Sequence, residues 1–105
     1  MKIGIVIYSN DSETIWNAFR FANFALEESD KIKVLLLGKG VECESLDMDR
    51  FKVTEQIQAL VDNGGDIFAC GNCLKISNPK VRKCPLSTMK DLYKIVKESD
   101  KVVTF

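Results

Sequence analysis

The stretch Ile3-Gly4-Ile5-Val6-Ile7-Tyr8-Ser9-Asn10-Asp11-Ser12 decides the fold. Its first six residues form a short, β-branched, nearly continuous apolar run, the pattern of a strand covered on both faces. The polar turn behind it opens a helix: Asn10 and Glu13 have the spacing of a capping box, which predicts a helix from about residue 12 to 28. A buried strand feeding a helix is the first half of a β-α-β unit, and the rest of the chain repeats it. Residues 33–37 read as a second buried strand, closed by Gly38-Lys39-Gly40. Residues 41–52 have weak periodicity and read as a loop with one helical turn near Leu46. A short helix is expected over 54–62, with Ile57, Leu60 and Val61 on one face and Asn63-Gly64 as its stop. The third strand is residues 66–69, and residues 81–84 read as a short extra strand. Thr88 and Asp91 form a second capping box, and the helix behind it places Met89, Leu92 and Val96 on one side. Residues 101–105 make the last strand.

Strands that alternate with helices imply a parallel sheet with helices on both faces. In such sheets ligands and reactive groups collect beyond the carboxyl ends of the strands. Residues 9–12, 38–43 and 70–74 are expected to share that edge.

The third of these segments carries the chemistry: Ala69-Cys70-Gly71-Asn72-Cys73-Leu74-Lys75. A strand that ends in cysteine and turns through glycine puts a thiol at the rim of the sheet. There, backbone N–H groups and a following helix start stabilise a thiolate. The alternative is a buried cysteine packed as a small hydrophobe. Cys70 and Cys73 have the spacing of half a zinc knuckle, but Cys43 and Cys84 are lone residues far apart, so neither a metal nor an iron–sulfur cluster is expected. A redox dithiol of Cys70 and Cys73 is a further reading.

Composition narrows the rest. A chain of 105 residues, 46% hydrophobic, is expected to form one domain over residues 1–105 with a single core. Lys plus Arg balance Asp plus Glu at 15 each, which leaves no excess charge for nucleic acid or an anionic membrane. The apolar run at 3–8 is too short for a signal-peptide core or a bilayer span, so a cytoplasmic location with reduced thiols is expected. The absence of histidine removes imidazole catalysis and histidine-ligated metals. On the first helix, Ile15, Ala18, Phe19, Ala22 and Leu26 form the core stripe. Phe21 and Phe24 fall on the opposite side, which reads either as an untidy amphipathic helix or as a subunit interface, and Trp16, flanking the core stripe, would serve either.

Four segments together resemble the DsrE/DsrF-like family, in its small YchN-like branch. They are Lys2-Ile3-Gly4-Ile5-Val6-Ile7, Gly38-Lys39-Gly40-Val41-Glu42, the run from Gly64 through Cys70 to Lys75, and Cys84-Pro85-Leu86-Ser87-Thr88-Met89. The resemblance spans essentially the whole chain and keeps the motif order. It implies a three-layer α/β/α sandwich with a mainly parallel sheet of four or five strands. It also implies assembly into a homo-oligomer (a dimer, trimer or hexamer) and a role in sulfur relay without a cofactor. The family's sulfur-bearing cysteine matches Cys70, which would carry a persulfide between sulfur donor and acceptor proteins. Cys73 matches a second cysteine of the YchN-like branch, and Cys73 or Cys84 would resolve the persulfide. Ser9, Asn10, Gly40, Gly71, Asn72 and Lys75 are the expected binding rim, with Lys75, Arg82 or Lys83 as the nearby cation. A non-catalytic oligomeric binding module, its cysteines structural or metal-binding, is the competing reading.

Overall fold

The computed structural model describes residues 1–40, 50–70 and 86–105, with Cys70, Leu86 and Ser87 as backbone. Strand β1 (Lys2–Ile7) leads to helix α1 (Ser12–Glu27) and strand β2 (Lys31–Leu36). Helix α2 (Val53–Asp62) precedes β3 (Asp66–Cys70), and β4 (Leu86–Ser87), helix α3 (Met89–Glu98) and β5 (Lys101–Thr104) complete the order. The five strands form one sheet in the order β4-β3-β2-β1-β5, and every pairing is parallel. The expected fold class is what the chain adopts.

The two sheet faces are covered differently. Ile3, Ile5 and Ile7 of β1, with Ile32, Val34 and Leu36 of β2 and Ile67 and Ala69 of β3, make one inner face. Onto it pack Ile15, Ala18, Phe19 and Ala22 of α1 and Val53, Ile57 and Leu60 of α2. Alternation along the strands puts Gly4, Val6 and Leu35 on the other face, where α3 lies against β1 and β4. This double cover is why β1 is buried from Ile3 to Ile7 without a polar interruption. A polar link joins α1 to α2: Asn23 Nδ2 donates to both the backbone oxygen and Oε1 of Gln56, at 3.0 Å each.

Several local expectations are corrected. The N-cap of α1 is Asp11, not Asn10. Its carboxylate accepts from the Thr14 backbone N–H at 2.9 Å and the Thr14 hydroxyl at 2.8 Å, so no Asn10–Glu13 box forms. Strand β2 begins two residues early, at Lys31, because Lys31 N–H reaches the carbonyl of Met1 and the strand registers on Lys2. The Thr88–Asp91 capping box is present, with Thr88 N–H donating to Asp91 Oδ2 at 2.9 Å. The face that α3 buries is different from the expected one: Ile95 is enclosed and Leu92 half-buried, whereas Met89 and Val96 are 64% and 53% exposed. The expected turn near Leu46 and the extra strand at 81–84 lie outside the described residues.

Candidate functional site at the carboxyl edge of the sheet

The strand registers define the edge. Ile7 pairs with Leu36, Leu36 with Ala69, and Ala69 with Leu86, which makes one row across four strands. Cys70 stands one step beyond that row, paired with Ser87, as the last residue of β3. It therefore sits where an α/β sheet opens toward its binding crevice.

The loops after β1 and β2 close over the same edge. Leu37 N–H donates to the Ile7 carbonyl at 2.8 Å, and Gly40 N–H donates to the Leu37 carbonyl at 3.0 Å, so residues 38–40 fold back as a tight turn. Gly38 supports that turn with a φ of +56°. Gly40 is buried against β1: a Cβ there would run into the Ile7 carbonyl oxygen and stand 2.8 Å from its carbon. In the first loop the Ser9 hydroxyl accepts from Asp11 N–H at 3.0 Å, while Asn10 is exposed. Tyr8, 55% exposed, is tied to the last strand through its N–H and the Phe105 carbonyl, 3.0 Å away.

The electrostatics of this edge has one fixed feature. The Thr14 N–H and hydroxyl hold the Asp11 carboxyl below its ordinary value. Asp11 is therefore ionised at the start of α1, where its carboxylate occupies the Thr14 N–H.

Of the expected site residues, Ser9, Asn10, Gly40 and Cys70 share this edge. Gly71, Asn72, Cys73, Lys75 and Cys84, with Cys43, Arg82 and Lys83, lie outside the described residues. A concavity that the sequence does not mark opens at the amino ends of the strands. Lys2, Lys31, Lys33 and Asp66 line it with the last turn of α3. Its trace in the sequence is the alternation Lys31-Ile32-Lys33, which puts two charges on one side of β2.

A sulfur-capable residue closing the third strand of a five-stranded parallel sheet, under α/β/α cover, is one architecture shared by several protein families. The particular family follows from comparison. The model of the DsrE/DsrF-like family matches residues 1–105, and the chain belongs to that family. An uncharacterized protein of Methanocaldococcus jannaschii is 34% identical over 114 aligned positions covering all of both chains. A second, from Methanopyrus kandleri, is 32% identical over 89% of this chain and 83% of its own. Among solved structures, the ychN protein from E. coli superposes with a TM-score of 0.85 at 20% identity, over 100% of this chain and 99% of that one. A conserved protein of unknown function from Bacteroides thetaiotaomicron gives 0.79 at 20% identity, over 99% and 94%. These two show the shared fold.

Proposed function

We propose that this chain is a sulfur-relay protein that carries sulfur as a persulfide on Cys70. The observation that supports the reading is the position of Cys70 as the terminal residue of β3 at the carboxyl edge, in a family whose members commonly serve in sulfur relay.

The chemistry needs a thiolate and no cofactor. Cys70 thiolate attacks the outer sulfur of a donor persulfide. The donor's S–S bond breaks, the donor thiolate leaves, and Cys70-S-SH forms. An acceptor thiolate then attacks that same outer sulfur and Cys70 leaves as thiolate, so transfer is redox-neutral. Cys73 or Cys84 resolves the persulfide by attacking its inner sulfur: sulfide departs and a disulfide remains, the two thiols being oxidised and the outer sulfur reduced. Ser9, Asn10, Gly40, Gly71, Asn72 and Lys75 form the rim that meets the partner. In the sequence Gly71 directly follows Cys70, and a glycine at that position allows the tight turn that would aim N–H groups at a sulfur.

The protein works in the cytoplasm with donor and acceptor proteins, as a homo-oligomer and without nucleic acid or membrane. No helix among the described residues is long and apolar enough to cross a membrane. Alkylation rates near neutral pH test the reading. Cys70 is expected to react fastest of the four thiols and to keep that reactivity below the ordinary cysteine pKa of about 8.5. Four equally slow thiols would favour the binding-module reading.

A further inference from the structure

A cleft of about 300 Å³ opens at the amino edge of the sheet, on the face that α3 covers and at the opposite end from Cys70. Strand register explains its lining. Lys2 pairs with Lys31, Gly4 with Lys33, and Lys33 with Asp66, so these positions stand on one sheet face. The last turn of α3 supplies Ile95 and Glu98, and its C-cap Ser99, as the facing wall. Gly4 permits the close approach, since a Cβ there would stand 2.6 Å from Ile95 Cγ2 and 2.7 Å from Ser99 Oγ.

Two features of the lining point to an occupant. Lys2 and Lys31 are direct cross-strand neighbours of like charge, with Lys33 two residues along on the same side. All three are exposed, so the arrangement is only mildly unfavourable, and an anion between the ammonium groups would relieve it. Asp66 and Glu98 bring negative charge to the same small space. Among the described residues no ion pair joins any of these five side chains, although Lys33 and Asp66 are register partners. Charges of both signs are thus presented exposed and unpaired beside buried Ile95. The volume lies at the lower bound for ligand pockets, which suits a small molecule.

We propose that this cleft binds a free α-amino acid. Its carboxylate lies among Lys2, Lys31 and Lys33, its ammonium group is held by Asp66 and Glu98 beside the negative end of the α3 dipole, and its side chain lies toward Ile95. A simple anion would use the lysines and be repelled by both carboxylates. A zwitterion uses all five charges. The site is separate from the Cys70 edge and does not depend on the sulfur-relay reading.

The test is an NMR titration of the whole protein with glycine, L-leucine, L-methionine, L-glutamine and L-glutamate. Each is then compared with its N-acetyl derivative, which lacks the ammonium, and its methyl ester, which lacks the α-carboxylate. At least one free amino acid is expected to give saturable shifts centred on the amides of Lys2, Lys33, Asp66 and Ser99. Both of its derivatives should bind roughly tenfold more weakly or worse. Asp66→Asn should weaken the free amino acid while strengthening its N-acetyl derivative, and Lys33→Gln should weaken both. No saturable shift with any of the five, or an N-acetyl derivative that binds as well as its parent, overturns the proposal.

Discussion

Gly4 of β1 and Ile95 of α3 are in such close contact that a single added methyl group would stand 2.6 Å from Ile95 Cγ2. Ile95 is the buried residue of α3, so this contact is a main point at which the helix is seated on β1. Gly4→Ala should force α3 outward, at a cost of about 1–3 kcal/mol typical of overpacking. Chemical denaturation should report that loss, with the hydrogen exchange of α3 amides accelerated more than that of α1. Uniform acceleration across both helices would contradict the local account.

Asp11 predicts a specific acid dependence. Its carboxyl is held low in the folded protein by the Thr14 N–H and hydroxyl, so the folded state favours the ionised form. The resulting stabilisation is complete above the unfolded aspartate value of about 3.9 and is lost as pH falls through that value and the lower folded one. Asp11→Asn keeps an acceptor oxygen but does not titrate. Between neutral pH and about pH 3 its melting temperature should fall less steeply than that of the parent. Parallel curves would show that the cap carries no ionisation linkage.

The parts of this fold that were legible in the sequence are those fixed by local patterns. The unbroken apolar run of β1, the Thr88–Asp91 box and the Asn63-Gly64 stop each determine their own element. Asn10 and Asp11 are adjacent residues of similar capping ability, and in the fold the Thr14 N–H and hydroxyl both bond to Asp11. Which side of α3 is buried depends on the missing side chain at Gly4, on a strand far away in sequence, so the helix's own periodicity misleads. At the candidate site, the strand-end position of Cys70 was legible because glycine follows an apolar run. The amino-edge lysines were not, because their grouping exists only once β1, β2 and β3 are in register.

Phe24 offers a test of assembly. Trp16 meets Phe51 edge-on with centroids 5.2 Å apart and lies under the Arg20 guanidinium, and Phe21 lies 6.4 Å from Phe105. Phe24 makes no aromatic contact among the described residues and is 61% exposed, which leaves it as the aromatic on α1 best placed to meet another subunit. Covering such a ring is worth roughly 2 kcal/mol, and a buried carboxylate in its place would be strongly unfavourable. Light scattering at micromolar concentration should show an oligomer for the parent chain and dissociation for Phe24→Asp. A monomeric parent would contradict the assembly.

The most direct measurement of the sulfur-relay account is mass spectrometry of the reduced protein after incubation with a persulfide donor. The parent chain should gain the mass of one sulfur atom, mapped by peptide analysis to Cys70. Cys70→Ser should abolish the adduct, Cys43→Ser should leave it unchanged, and loss of Cys73 should prolong its lifetime if Cys73 is the resolving thiol. Sulfur uptake by Cys70→Ser at the parent rate would contradict the assignment.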